Sequence, residues 1–380
     1  FGRRNFEKIL DDDERTSPRF GRRNFEKILD DDERTSPRFG RRNFEKILDD
    51  DERTSPRFGR RNFEKILDDD ERTKRSKGKI MKFLEEMLEK QYGKEITKTI
   101  IEGYKTERKT TLRVNTIKSN IETIKKELKE KKIEYEEVPW NKEALIIKNT
   151  NEKTIQEMSI YKNGELYLQS LSSMLPPIIL EPKERTDILD MAAAPGGKTT
   201  QIAALTNNKA HITACEKNKI RAERLKYNID KQGATCVFIM EKDSRYIDNF
   251  FSFDQILLDA PCSGSGTLDF KDQNIEKYFT KQLIEKSAVT QKNLLRKAIN
   301  LLKPGHEMVY STCSILECEN EEVVASILKD GKIEIEPISF EGIENLPLLP
   351  TKIPGTLCVK PTDLYEGFFV AKIRKNKKRL

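Results

Sequence analysis

The chain has 380 residues, enough for one large or two ordinary domains, and its 36% hydrophobic content is low for all of it to pack into cores. Lys and Arg exceed Asp and Glu by 7, yet residues 1–73 hold 19 basic and 20 acidic side chains, so residues 74–380 carry an excess of 8, a balance that suits a polyanionic partner without requiring one. The six cysteines form no C-x-x-C pair and His211 and His306 are far apart, which argues against a zinc site or a secreted disulfide framework and for a reducing compartment; no apolar run approaches the roughly 20 residues that a membrane helix needs.

In chain order, residues 1–73 repeat FGRRNFEKILDDDERTSPR with a 19-residue period, in copies that begin at Phe1, Phe20, Phe39 and Phe58, the last stopping at Thr73. Each copy has three apolar residues at helical spacing (Phe6, Ile9 and Leu10 in the first) behind a capping Asn5, and Pro18 would end the helix. Three apolar side chains do not offset an ordering cost of about 1–2 kcal/mol per residue, so this tail is expected to be disordered, either without a selected role or as a multivalent docking segment. The sequence opens on Phe1 and not on Met, which leaves a targeting peptide ahead of it open and cytoplasmic, nuclear, nucleolar and organellar locations all compatible.

Beyond a basic linker at 74–79, Ile80, Phe83, Leu84, Met87 and Leu88 mark an amphipathic helix. A strand-like TLRVNT (111–116), a helix carrying Ile121, Ile124 and Leu128, and β-rich stretches at 133–138 and 144–147 come next, so residues 74–165 read as a small α+β module. From residue 186 apolar strands alternate with longer helices, the pattern of a parallel, doubly wound α/β sheet, with strands expected at 186–190, 211–216, 237–240, 253–259 and 306–313 in a second domain covering 166–380.

Ligands of such sheets bind beyond the carboxyl ends of the strands. The first strand runs into AAAPGGKTT (192–200), where Gly196 and Gly197 let backbone approach a ligand and the next helix offers free N–H groups. Glu216 ends the second strand, placed to accept from two ribose hydroxyls; Asp243 follows the third, where it could take an adenine amino group; Asp259 ends the fourth. A nucleotide-triphosphate loop is the competing reading, since PGGKTT resembles its tail and QILLDA a strand presenting a magnesium-binding Asp, but the motif G-x-x-x-x-G-K-[ST] requires Gly where Ala192 stands. The fourth and fifth strands lead into DAPCSGSG (259–266) and YSTCSI (310–315), so Cys262 and Cys313, 51 residues apart, should overhang one pocket.

With these segments in view, residues 111–374 resemble the Nop/Sun family of RNA cytosine-5 methyltransferases, through RVNT (113–116), YLQSLSSMLPP (167–177), LDMAAAPGGKTT (189–200), LLDAPCSGSG (257–266), YSTCS (310–314), ENEEVV (319–324) and EGFFVAKIRK (366–375). The resemblance implies a Rossmann-like methyltransferase domain with S-adenosyl-L-methionine as cofactor, held by Ala192, Ala193, Ala194, Pro195, Gly196, Gly197, Lys198, Glu216, Asp243 and Asp259. It also implies tRNA or rRNA as substrate, with the N-terminal module helping to hold the RNA. The chemistry explains two thiols and an acid: carbon 5 of cytosine is too weak a nucleophile to take a methyl group unaided, a thiolate attacking carbon 6 makes it enamine-like, and Asp259 near nitrogen 3 could neutralise the charge that builds on the ring. The residues alone leave open which cysteine attacks, since DNA cytosine-5 enzymes place theirs after a proline at the fourth strand, as Cys262 is placed here. The resemblance implies Cys313 as nucleophile and Cys262 as an aid to product release.

No metal is called for, and a monomer is expected. Two departures stand out: Ala192 where many relatives carry Cys, and Cys358 in TLCVKP (356–361) where relatives often carry Arg. Of the basic residues that could touch RNA (Arg113, Lys198, Lys292, Arg296), Lys198 is the one selected, with Asn115 as a buttress for the adjacent loop. A non-catalytic RNA-assembly factor on the same fold is the alternative to the enzyme.

Overall fold

A computed structural model describes residues 59–272, 275–329 and 331–377. The chain divides into residues 1–70 and 71–380; of the former only the start of the first helix is described, and both sheets belong to the latter. Helix α1 (Gly59–Lys105) is broken at Gly93, whose φ of 80° and ψ of 167° leave the helical region at little cost because glycine has no Cβ. Of the repeat region 1–73, for which disorder is expected, only 59–73 are described, as the start of α1; the earlier copies lie outside the described residues. The last copy stops at Thr73 and continues as Lys74, so it lacks the Ser-Pro pair that would end a helix. Leu84, Leu88, Ile100 and Tyr104 on α1 are buried in the main core.

The small module is a four-stranded antiparallel sheet in the order β2-β3-β1-β4, built from β1 (Thr111–Val114), β2 (Tyr135–Val138), β3 (Asn141–Ile147) and β4 (Leu166–Leu168). Helix α2 (Ile121–Glu130) starts where the Asn120 side chain accepts from the Thr123 N–H at 3.0 Å, and it buries Ile124 and Leu128 against Leu112, Val114, Leu145 and Ile147. Two short helices, α3 (Glu152–Glu157) and α4 (Ser159–Lys162), lead into β4. Helix α5 (Leu171–Leu180), which carries Pro176 and Pro177 inside it, then crosses to the large sheet with most of its side chains buried.

The large sheet holds β5 (Asp187–Asp190), β6 (His211–Cys215), β7 (Val237–Met240), β8 (Phe253–Asp259) and β9 (Leu302–Thr312) as a parallel set in the order β9-β8-β5-β6-β7. Helices α6 (Gly197–Leu205), α7 (Lys219–Gln232), α8 (Ile275–Tyr278) and α9 (Lys281–Leu301) connect these strands, and α10 (Glu321–Leu328) comes after β9. Four further strands, β10 (Ile333–Glu336), β11 (Leu348–Leu349), β12 (Leu357–Val359) and β13 (Phe368–Lys375), extend the sheet antiparallel beyond β9. Alternation along the strands divides the core between two faces: Leu189, Ile256, Leu258 and Met308 face α1 and α9, while Ile188, Leu257 and Val309 face α5 and α6. Strand order reverses at β5, between β8 and β6, so the tips of these three strands open onto the crevice where such sheets bind ligands. Among the described residues no helix is long and apolar enough to cross a membrane.

Candidate active site

The tips of β8 and β9 carry the two thiols. Because these strands are parallel neighbours with Asp259 paired to Ser311, the turns beyond them run side by side. The Cys262 and Cys313 sulfurs lie 2.9 Å apart as free thiols, both half-buried. The hydrogen bond with Cys313, burial, and the negative side chain of Glu319 push the Cys262 thiol well above its ordinary value. Its loop admits no side chain at Gly266, where a Cβ would fall 1.9 Å from the carbonyl oxygen of Gly367; the Gly266 N–H donates to the Cys313 carbonyl at 3.0 Å and its own carbonyl accepts from Gly367 at 2.8 Å. The glycines of the SGSG and EGFF segments are thus fixed by this backbone contact.

The β5 tip and α6 form the glycine cradle. Gly196, at φ 110°, caps α6, and a Cβ on Gly197 would come within 3.2 Å of the Tyr167 ring. Two openings flank the cradle. A cavity of about 300 Å³ is lined by Glu216, Asp243, Asp259, Pro261, Cys262 and Cys313 among others. A larger one of about 850 Å³, between the cradle and the small module, is lined by Tyr167, Asp190, Lys198, Asn228, Lys231 and Glu366 among others. Ala192, Ala194 and Asp259 border both, so the two spaces meet at Asp259.

Asp259 accepts from the Lys198 ammonium at 2.7 Å and from the Ser311 hydroxyl at 2.8 Å. Burial opposes the Lys198 charge, but the Asp259 carboxylate outweighs it and raises the ammonium above its ordinary value. Lys198 also lies 5.4 Å from the centre of the Phe368 ring. At the tip of β6, Glu216 is 4% exposed; one carboxylate oxygen accepts from the Asn218 N–H at 2.9 Å, and the other has no hydrogen-bond partner although the Arg221 guanidinium is 3.1 Å away, off the hydrogen-bonding direction. Asp243, held below its ordinary value chiefly by its hydrogen bonds from Arg245, faces the smaller cavity with both oxygens engaged by that guanidinium.

The structure therefore gathers Cys262, Cys313, Asp259, Glu216, Asp243, Ala192 and Ala194 around one cavity, and Ala193, Pro195, Gly197 and Lys198 around the adjoining one. Other residues singled out in the sequence lie elsewhere. Arg113, one of the basic residues that could touch RNA, is 3% exposed and donates to Gln169 and Thr200, its guanidinium lowered to about 10 by burial. Asn115 accepts from the Ile117 N–H at 3.2 Å in the turn beside it, and its amide donates to the carbonyls of Gly164 and Gln232. Cys358, which stands where relatives often carry Arg, is buried in the core, 3.7 Å from the Tyr92 hydroxyl. Lys292 is half-buried and Arg296 exposed on α9.

Several residues of the site are not apparent from the sequence. Asp190 is buried beneath the cradle, accepting from Thr199 at 2.7 Å. Glu319, fully buried, bonds to both cysteine loops. Tyr104 on α1 donates to the Ser265 carbonyl. The signal for Glu319 is its place in ENEEVV, a motif that otherwise looks like an ordinary acidic helix start. Among the described residues no group of His, Cys, Asp and Glu is placed to hold a metal ion.

Comparison with known proteins places this geometry. The family described as 16S rRNA methyltransferase RsmB/F matches residues 177–374, and the RsmF/B-like ferredoxin-like domain matches residues 82–152. The chain is 38% identical over 271 residues to ribosomal RNA small subunit methyltransferase F of Vibrio atlanticus, covering 70% of this chain but 57% of that protein. It is 36% identical over 274 residues to the tRNA (cytosine(49)-C(5))-methyltransferase of Pyrococcus abyssi, covering 70% of this chain and 87% of the relative. The crystal structure of NSun6 from Pyrococcus horikoshii with SFG, an S-adenosylmethionine analogue, superposes with a TM-score of 0.68 at 25% identity, covering 78% of this chain and 98% of that one.

Proposed function

The chain belongs to the 16S rRNA methyltransferase RsmB/F family, and from that premise we propose that it transfers the methyl group of S-adenosylmethionine to carbon 5 of a cytosine in tRNA or rRNA. The observation that carries the reading is the thiol pair, 2.9 Å apart, on a cavity that also holds Glu216 and Asp259. The cavity suits the cofactor: the buried Glu216 oxygen without a hydrogen-bond partner is matched to a ribose hydroxyl, and the free N–H groups at the start of α6 to a carboxylate. When bound, S-adenosylmethionine supplies an electrophilic sulfonium methyl group. Ala192, Ala193, Ala194, Pro195, Gly196, Gly197 and Asp243 complete its proposed cradle.

In the proposed reaction Cys313 gives up its thiol proton to solvent, the thiolate sulfur bonds to carbon 6, and the displaced ring electrons make carbon 5 nucleophilic. Asp259, which accepts from Lys198 and Ser311, is the group proposed to lie near nitrogen 3, where as the acid it neutralises the charge that builds on the ring. Once carbon 5 has been methylated, its proton leaves to a base, the freed electrons restore the ring double bond as the carbon–sulfur bond breaks, and nitrogen 3 returns its proton to Asp259. Cys262, 2.9 Å from Cys313, is within reach to pass a proton to the departing sulfur, and attack by Cys313 with release by Cys262 is the division of roles that the family resemblance implies. On this reading residues 166–380 perform the chemistry and residues 74–165 help to hold the RNA. Of the compartments left open by the sequence we propose the cytoplasm, the relatives compared being bacterial and archaeal.

The test is incubation of the protein with tritiated S-adenosylmethionine and total RNA. Label should enter RNA with the unmodified chain, vanish with Cys313→Ala, and with Cys262→Ala give way to a protein–RNA adduct that survives denaturing gels. An adduct from Cys313→Ala instead would reverse the assignment, and no label from the unmodified chain on any RNA would favour the assembly factor.

A further inference from the structure

Glu319 is fully buried on the 3₁₀ turn after β9, and every donor that its carboxylate meets belongs to a cysteine loop or to the helix behind one. One oxygen accepts from the Ser263 N–H at 2.7 Å and from the Gln291 amide at 3.3 Å; the other accepts from the Ser263 hydroxyl at 2.5 Å and the Ser314 hydroxyl at 2.7 Å. Ser263 follows Cys262 and Ser314 follows Cys313, so a single side chain bridges the residues next to both thiols. Gln291 also donates to the Pro261 carbonyl at 3.0 Å, which brackets Cys262 from its other side. The next residue reinforces the second loop: the Asn320 amide donates to the Ser314 carbonyl at 2.9 Å and its oxygen accepts from the Thr312 hydroxyl. No ligand is needed to complete the cluster.

We propose that Glu319 is a positioning residue that clasps the two cysteine loops together and so sets the separation of Cys262 and Cys313. Only an acceptor-only group can satisfy four converging donors; an amide would turn its own N–H groups against at least one of them. Two thiols on separate loops have no covalent reason to stay within hydrogen-bonding distance; beside the direct bonds between the loops, from the Gly266 N–H to the Cys313 carbonyl and between the Ser265 and Ser314 hydroxyls, Glu319 is the side chain from outside the Cys262 loop that holds the residue next to each thiol. The catalytic meaning of this spacing rests on the function proposed above, since attack and release by two different thiols at one carbon–sulfur bond require both to reach it.

Glu319→Gln in the full chain tests the clasp. S-adenosylmethionine affinity, measured by calorimetry, should stay within about twofold, because Glu216 and Asp243 lie outside the cluster. Dibromobimane, which becomes fluorescent on bridging two nearby thiols, should join Cys262 to Cys313 in the unmodified chain, as located by peptide mapping. In Glu319→Gln the bridging rate should fall at least about tenfold. Turnover on RNA should fall about a hundredfold at unchanged KM, the scale expected when a reacting group is displaced by about 1 Å. The double variant Ser263→Ala with Ser314→Ala removes both hydroxyl donors while leaving the acid, and should show the same loss of bridging if Glu319→Gln does not fold. Wild-type bridging and turnover in either folded variant, or no bridging in the unmodified chain, overturns the proposal. Bridging needs no RNA, so failure of the unmodified chain to label RNA would count against the proposed reaction and not against the clasp.

Discussion

Asp190 offers a test of how burial tunes this site. It ends β5 at 1% exposure, accepting from the Thr199 hydroxyl at 2.7 Å and from the Ala192 N–H at 3.4 Å. Burial raises its carboxyl from 3.8 to about 6; the Thr199 hydrogen bond and Lys198 pull the other way, while Asp259 adds to the rise. The folded chain therefore holds this proton more tightly than the unfolded chain, and the resulting stability is complete below pH 3.8 and lost as the pH rises through about 6. The shift corresponds to roughly 3 kcal/mol in total, of which about 1 kcal/mol is lost between pH 5 and pH 7. Asp190→Asn abolishes the titration and keeps an acceptor for Thr199, so its stability relative to the unmodified chain should improve by about 1 kcal/mol from pH 5 to pH 7. Urea unfolding followed by the fluorescence of the single tryptophan, Trp140, itself 6% exposed, measures this directly. A difference that is flat over this range, or that moves the other way, would refute the account of Asp190 as a carboxyl disfavoured in its charged form.

Three other variants probe the geometry. Glu216→Ala should weaken S-adenosylmethionine binding about 10- to 100-fold by calorimetry, a loss of one or two hydrogen bonds to a charged group; an unchanged Kd would put the nucleoside elsewhere. Gly266→Ala places a Cβ 1.9 Å from the Gly367 carbonyl oxygen, a backbone atom that cannot rotate away, and should cost about 3 kcal/mol in thermal unfolding, so a variant as stable as the original would show that the two loops part easily. Tyr104→Phe leaves the Ser265 carbonyl without its donor from α1; it should cost about 1–2 kcal/mol and lower turnover at constant cofactor affinity, and an equal loss of both would mean that the helix supports the whole sheet and not the cysteine loop.

The part of the fold legible in the sequence is the part whose pattern is periodic and local. The apolar strands at 237–240 and 253–259 appear at those bounds, and the parallel adjacency of β8 and β9 agrees with their alternation with helices. The antiparallel strands beyond β9 are not legible, because EGFFVAKIRK has no strict alternation: Phe368 to Ala371 are buried in succession, between β9 on one side and β12 on the other. Helix α5 is hidden because Pro176 and Pro177 argue against any helix interior, and here tertiary burial of its apolar residues overrides that preference. Charged residues are the least legible. Arg113 and Glu319 have the sequence appearance of solvated charges, and only the folded chain reveals that both are buried and bonded, since their partners lie 56 and 87 residues from Arg113 and up to 56 residues from Glu319.

These buried charges and the elements around them answer a difficulty inherent in the sheet. A loop at the tip of a parallel strand is held at its base and free above, yet here two such loops hold two sulfurs 2.9 Å apart. The chain holds them from outside the parallel set: Gly367, leading into β13, bonds to Gly266 on one loop, while Gln91 and Tyr92 on α1 donate to the Ile315 carbonyl on the other and Tyr104, later on α1, reaches Ser265. Twelve residues of unbroken helix would set Tyr92 and Tyr104 about 18 Å apart along the axis. Their two acceptor residues, however, are joined by a single hydrogen bond, from the Ile315 N–H to the Ser265 hydroxyl at 3.0 Å. The break in α1 falls at Gly93, between the two tyrosines, and the residues on both sides of it bond to the cysteine loops, so the helix preceding the small module is part of the scaffold of the thiol pair.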